Sequence, residues 1–160
     1  MNLTRSIILI LDGVRSAENV GAIFRTADAI GISEIILGGI TPGVTDRFGR
    51  PNPKIAKTAL GAEKTISHQS IKDLVSYIQE VKKNGYTIVA LEQTEKAVDY
   101  KTYIPKEKTI LIVGNEVSGV SKEILDLADT VIHIPMRGEK ESLNVSVATG
   151  IALFQLFDKN

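Results

Sequence analysis

The chain predicts an α/β domain with a mostly parallel sheet flanked by helices, and three observations carry that expectation. Short apolar runs rich in β-formers alternate with amphipathic helical patterns along the chain. At 160 residues the length is about one domain's worth, enough to bury a core. Hydrophobic residues at 43% and charged residues at 24% give ordinary globular composition, with no repeat and no low-complexity tract. We therefore expect residues 1–160 to form a single domain.

The first element is SIILILD (6–12), a continuous run of β-formers that reads as a buried strand. NVGAIFRTADAIG (19–31) follows as a helix, with Val20, Ile23, Phe24, Ala27 and Ile30 on one face and Gly31 placed to stop it. EIILGG (34–39) is the second strand. Pro42, Pro51 and Pro53, with Gly43, Gly49 and Gly61, punctuate residues 40–61 as a long irregular segment, a kind of loop that is usually functional or mobile. Ile71, Leu74, Val75, Ile78 and Val81 mark a second amphipathic helix ended near Gly85. YTIVALE (86–92) and TILIVG (109–114) are strands, joined by a Lys-rich connection. SKEILDLA (121–128) is a short helix with Ser121 as its cap, and TVIHIP (130–135) is the last strand. From Leu143 the chain is a buried helix, with Ser142 and Asn144 in its first turn. In parallel sheets ligands gather in loops at the carboxyl ends of strands, so the loops after Asp12, Leu91, Val113 and Ile134 are the ones to inspect.

Several classes of function are excluded or weakened. There is no run of eighteen apolar residues to span a membrane. The N-terminal MNLTRSIILILDG is too short in its apolar stretch for a signal peptide, which points to an intracellular, cytoplasmic protein. Without cysteine there is no disulfide framework and no thiolate chemistry. His68 and His133, the only histidines, lack clustered carboxylates, so no metal is expected. Tyr77, Tyr86, Tyr100 and Tyr103 have no spacing that argues for base stacking and read as packing or surface residues. Nineteen basic residues balance nineteen acidic ones, giving no general attraction to nucleic acid. One local exception is VTDRFGRPNPKIAK (44–57), where Arg47, Arg50, Lys54 and Lys57 face only Asp46. The bland alternative there is a solvated loop.

Three places carry candidate chemistry. In GNEVSGVS (114–121), Gly114, Gly119 and Ser121 fall where a phosphate-binding loop wants them, but Val120 stands in place of its lysine. Glu116 would also put a carboxylate against polyphosphate, so a nucleoside triphosphatase is rejected. The glycines would instead let backbone approach a flat ligand such as an adenine, and a cationic ligand would tolerate Glu116. The plain alternative is a turn whose glycines only satisfy φ. In the first helix, Asn19 is placed to cap. Gly21 sits one turn below Arg25, leaving room for a group to approach the guanidinium. Arg25 neighbours an apolar stripe, so it should pair with Asp12 or Asp28 or await a phosphate. Ser142 and Asn144 either cap their helix or hold a ligand.

Three stretches, ENVGAIFRTADAIGI, LIVGNEVSGVS and IHIPMRGEKESLNVSVATGIALF, resemble in order the motifs of the SpoU (TrmH-like) class of SPOUT RNA methyltransferases. The resemblance spans residues 7–157 and implies an α/β fold with a C-terminal deep trefoil knot, an exception to ordinary topology rules. It implies a homodimer with the active site near the subunit interface, using S-adenosyl-L-methionine to methylate a ribose 2′-hydroxyl of RNA, tRNA favoured over rRNA. Carried onto this chain, Leu91, Gly114, Asn115, Gly119, Ile134, Met136, Ser142 and Leu143 would hold the cofactor. Asn19, Arg25, Glu116, Ser142 and Asn144 would form the catalytic framework, with Arg25, Arg47, Arg50, Lys54 and Lys57 on the RNA. Many relatives carry glycine or aspartate where Val117 stands, a departure that touches no proposed catalytic group. With strand one starting by residue 6 and the chain ending three residues after Phe157, no separate N-terminal RNA-binding domain is expected. The competing readings are a non-catalytic RNA-binding or assembly module that keeps the knotted fold, and a nucleotide-binding regulator using the Gly114–Gly119 turn.

Overall fold

The computed structural model describes residues 5–158, so the first four residues of the N-terminal stretch considered above lie outside the described residues. Seven strands form one sheet in the order β3-β2-β1-β6-β4-β7-β5, and every neighbouring pair is parallel. The strands are β1 (Ser6–Asp12), β2 (Glu34–Gly38), β3 (His68–Ile71), β4 (Thr87–Leu91), β5 (Val98–Asp99), β6 (Lys108–Gly114) and β7 (Thr130–His133). The helices are α1 (Ala17–Ile30), α2 (Pro53–Ala59), α3 (Ala62–Thr65), α4 (Leu74–Lys83), α5 (Lys122–Leu127) and α6 (Val145–Asp158).

The side-chain alternation of β1 shows why its sequence is apolar throughout. Ile7, Leu9 and Leu11 join one core with Val20, Ile23 and Phe24 of α1 and Ala152, Leu153 and Leu156 of α6. Ile8 and Ile10 join the other, with Ile78 and Val81 of α4 and Ile124 of α5. A strand covered on both faces has no solvated side to mark with polar residues. Since all strands run the same way, the turns after Asp12, Gly38, Leu91, Gly114 and His133 emerge on one edge of the sheet.

Several local expectations are corrected. Residues 40–61 are not wholly irregular: Asn52 accepts from the amides of Lys54 and Ile55 and starts α2, with Pro53 in its first turn. The cap of α1 is Ser16, whose hydroxyl accepts from the Asn19 amide, so Asn19 lies inside the first turn with its side chain free for other work. Ser121 precedes α5 without a side-chain capping bond; its own amide donates to Asp12 Oδ2 at 2.8 Å. The C-terminal helix begins at Val145, and only part of it is buried, since Val147 and Phe154 are exposed. Strands β3 and β5 were not anticipated.

Gly21 has a different purpose from the one its spacing implied. A Cβ there would stand 2.0 Å from Thr58 Oγ1 and 2.4 Å from the Ile55 carbonyl oxygen. It marks the close crossing of α1 and α2, reinforced by the Thr58 hydroxyl donating to the Glu18 carbonyl at 2.9 Å. The glycine makes room for α2, and thereby fixes the basic segment against α1.

Candidate active site

Two loops that are distant in sequence meet at the C-terminal edge of β6 and β4. The first, after β6, folds back on itself: Asn115 and Gly119 exchange backbone hydrogen bonds of 3.0 and 2.9 Å. Asn115 Oδ1 accepts from the Val117 and Ser118 amides, and its Nδ2 donates to the Gly13 carbonyl at 2.9 Å. The second loop, residues 134–144, leads into α6. Between them lies a cavity lined by Leu91, Gly114, Asn115, Gly119, Ile134, Met136, Ser142 and Leu143, together with Glu116 and Asn144.

The glycines here serve the chain itself before any ligand. A Cβ on Gly114 would lie 2.2 Å from the Gly119 carbonyl carbon and 2.3 Å from the Val120 nitrogen. The backbone that approaches Gly114 is the far side of its own loop. Gly119, at φ +72°, is likewise crowded by the carboxylate of Glu92, whose Oε2 accepts from the Val120 amide at 2.8 Å.

Glu116 is not a bare surface charge. Its two oxygens accept from the Arg15 amide at 3.0 Å, the Ser16 amide at 3.0 Å and Asn19 Nδ2 at 3.2 Å. Partial burial on its own pushes this carboxyl up, but the Arg15 and Ser16 amides and Asn19 outweigh it and hold the group below its ordinary 4.5. Asn19 Oδ1 in turn accepts from Asn144 Nδ2 at 3.2 Å. Asn144 Oδ1 accepts from the Ser146 amide at 2.8 Å and from Ser146 Oγ, which caps α6. Asn144 therefore caps its helix with its oxygen and reaches the first helix with its nitrogen. Ser142 makes no capping bond; it is exposed on the cavity wall.

Arg25 is placed elsewhere. Six residues from Asn19, it points about 120° further around α1 and does not line this cavity. It is exposed and pairs with neither candidate acid: Asp28 accepts from Thr65 and Asp12 from the Ser121 amide. Arg25 instead borders a shallow depression with Ala22, Thr26, Lys57 and the exposed Phe154.

Sequence reading missed Glu92, Gln93, His133, Val145 and Ala148 on the cavity wall. His133 Nδ1 stands 3.3 Å from Gln93 Oε1, while Gln93 Nε2 donates to the Ile134 carbonyl at 2.8 Å. The strand-end position of Glu92 and Gln93, directly after Leu91, was the available signal. His68 is remote, its Nδ1 2.8 Å from the Ile66 carbonyl oxygen and its ring edge-on to Phe24. Among the described residues no three His, Asp or Glu side chains cluster as metal ligands, and no helix is long and apolar enough to cross a membrane.

The cavity wall contains two carboxylates, Glu92 and Glu116, and neither lysine nor arginine. Its floor is apolar, from Leu91, Val113, Ile134, Met136 and Ala148. Such a site repels polyphosphate and suits a flat ligand with net positive charge.

Comparison with known proteins adds to this geometry. A sequence model described as the SpoU rRNA Methylase family matches residues 6–154. A tRNA (guanosine(18)-2′-O)-methyltransferase of Aquifex aeolicus is 34% identical over 158 residues, covering 94% of this chain and 68% of its own length. A 23S rRNA (guanosine-2′-O-)-methyltransferase of Xanthomonas axonopodis is 32% identical, covering 94% of this chain and 58% of its own. The AdoMet-bound rRNA methyltransferase of Sinorhizobium meliloti matches at a TM-score of 0.84 and 32% identity, over 94% of this chain and 55% of that one. The chain thus spans between about half and two thirds of the relatives it is compared with.

Proposed function

The chain belongs to the SpoU rRNA methylase family, and on that premise we propose that it transfers a methyl group from S-adenosylmethionine to a ribose 2′-hydroxyl of tRNA or rRNA. The observation that carries this reading is the hydrogen-bonded series Glu116–Asn19–Asn144 at the rim of a cavity with anionic walls and an apolar floor. The residues present fit the cofactor: glycine backbone and apolar side chains for an adenine, carboxylates for a cation, and neither lysine nor arginine to oppose it. When bound there, S-adenosylmethionine supplies a methyl group activated on a sulfonium.

The chain's own residues do the rest. Asn19, held by Glu116 on one side and Asn144 on the other, keeps a spare donor hydrogen and a spare lone pair with which to orient the ribose hydroxyl. A hydroxyl is a poor nucleophile until its proton is shared. The Arg25 guanidinium, a donor with no acceptor site, serves as a clamp on the phosphate beside the target ribose, while that phosphate or a water receives the proton. Since Arg25 faces away from its own cavity, the Arg25 that meets the substrate comes from a second copy, in a homodimer whose interface includes α1 and the exposed Phe154 of α6. The resemblance to the SpoU class supports a C-terminal knot, and the return of α6 to the face of α1, after β7 lies two strands beyond β6, is compatible with it. This domain would carry the site and RNA contacts together, with tRNA the favoured substrate and the cytoplasm the place of action.

Calorimetric titration with S-adenosylmethionine tests the cofactor site. We expect binding by the wild type and loss in Leu143→Arg, which adds a repelling cation on an exposed wall without disturbing packing. The same preparations test the shared site. Arg25→Ala and Asn144→Ala should each be inactive on RNA, and mixing them should restore methyl transfer. No binding of S-adenosylmethionine with RNA present would favour the assembly-module reading, and no restoration would remove the contribution of Arg25 across the dimer.

A further inference from the structure

Between β2 and α2 the chain makes a small hairpin whose tip is Arg47-Phe48-Gly49. Thr45 bridges Pro51, the Asp46 amide donates to the Arg50 carbonyl at 2.9 Å, and the Asn52 amide donates to the Val44 carbonyl at 2.8 Å. Gly49, at φ +77°, closes the three-residue tip. Asp46 fastens it from within: Oδ1 accepts from the Phe48 amide at 2.8 Å and the Arg50 amide at 3.0 Å, and Oδ2 accepts from Arg50 Nε at 2.7 Å.

The hairpin holds a large aromatic side chain in solvent. Phe48 is 67% exposed, and the guanidiniums of Arg47 and Arg50 lie 4.7 and 5.1 Å from its ring centre. An aromatic ring with cationic planes against it is the recurring means of gripping an unstacked base. Both ends of the hairpin are also tied to the candidate site. On the incoming side the buried Thr41 hydroxyl accepts from the Val14 amide at 3.1 Å and lies 2.8 Å from the Gly38 carbonyl oxygen it can donate to. On the outgoing side α2 is seated on α1 at Gly21. β2 is two strands from β6, about 10 Å at ordinary strand spacing.

We propose that Phe48, with Arg47 and Arg50, forms a stacking platform for an unpaired RNA base a few nucleotides from the ribose that is methylated. The proposal rests on the RNA reading above and narrows it: the substrate presents its target in a loop or other unpaired segment, since a base within a helix has both faces occupied by its neighbours. The charge arrangement agrees. Asp46 partly offsets Arg50, whereas Arg47 makes no ion pair among the described residues, leaving it for the adjoining phosphate. Because the hairpin is ordered by its own hydrogen bonds, little further ordering is needed on binding.

The test uses the full chain and a stem-loop RNA carrying 2-aminopurine in its loop, with a fully paired RNA of the same composition beside it. Stacking on Phe48 should change the probe's fluorescence in the stem-loop alone. Phe48→Ala should weaken loop binding by about fivefold to a hundredfold and leave S-adenosylmethionine binding unchanged. Phe48→Trp should keep the affinity, and Phe48→Leu, which is apolar without a π face, should fail as alanine does. Wild-type affinity in Phe48→Ala, retention in Phe48→Leu, or equal losses on the paired RNA would each overturn the platform while leaving the methyltransferase reading in place. Wild-type protein that binds S-adenosylmethionine but neither RNA would overturn both.

Discussion

Glu116→Gln should lower the rate of methyl transfer about a hundredfold while barely changing the melting temperature. The carboxylate accepts from three donors on the segment 15–19. An amide has one oxygen and would turn its own hydrogens toward at least one of those donors. The site is exposed enough for water to satisfy the orphaned groups, so the fold survives. Water does not, however, hold Asn19 in one place, and a displacement of about 1 Å at a positioned group is costly to the rate. Single-turnover methylation measured beside thermal unfolding separates the two effects. Unchanged turnover would mean that the Glu116–Asn19–Asn144 series does not orient the substrate.

The same pair of proteins has a distinguishable response to acid. The folded-state carboxyl of Glu116 is held below 4.5, so its contribution to stability is fully present above that value. That contribution is lost as the pH falls through the lowered folded value. Any gap in melting temperature between wild type and Glu116→Gln should therefore narrow below 4.5 and stay constant above it.

The second large effect is on stability. Gly114→Ala should cost about 3 kcal/mol or more, a drop in melting temperature on the order of 10 °C for a chain of this size. Its Cβ would stand 2.2 to 2.4 Å from three backbone atoms of Gly119 and Val120, and backbone at the end of a buried strand has nowhere to retreat. Denaturant titration is the measurement, and a variant within about 2 °C of wild type would show that the loop can open. The result governs the choice of variants: a bulky substitution at Gly114 would abolish ligand binding by unfolding its surroundings, whereas Leu143 stands on an exposed wall.

What the sequence disclosed was largely what burial dictates. The SIILILD and TILIVG runs announce central strands because they are covered on both faces, and the stripe from Val20 to Ala27 announces α1. The edges were silent: HQSI in β3 and the two residues of β5 bury too little to need an apolar pattern. For α2 the signal was present, since an Asn-Pro pair is a good helix start, but prolines and glycines around it spoke more loudly for a loop. At the site, residue types were legible and directions were not. Gly21 and Gly114 read as room for a ligand, yet the occupant in both cases is the chain itself, the distant helix α2 at Gly21 and the far side of its own loop at Gly114. A glycine records that something comes close, not what. Arg25 was legible as an unusual arginine on a different face of α1 from Asn19, while which of those faces borders the cavity emerged only with the fold.

The bond from Asn144 to Asn19 joins residues 125 apart in sequence, and the one from Asn19 to Glu116 joins residues 97 apart. Contacts of such separation form late, because the intervening chain must first be ordered. On the ribosome, strands β1 to β6 can emerge and begin pairing while the rim of the cavity is still missing its third member. Asn144 arrives just ahead of α6, the last of the described elements, so the rim of the cavity gains its third member only after all seven strands have been made. The order of the chain thus puts the closing contact of the rim after the sheet that carries it.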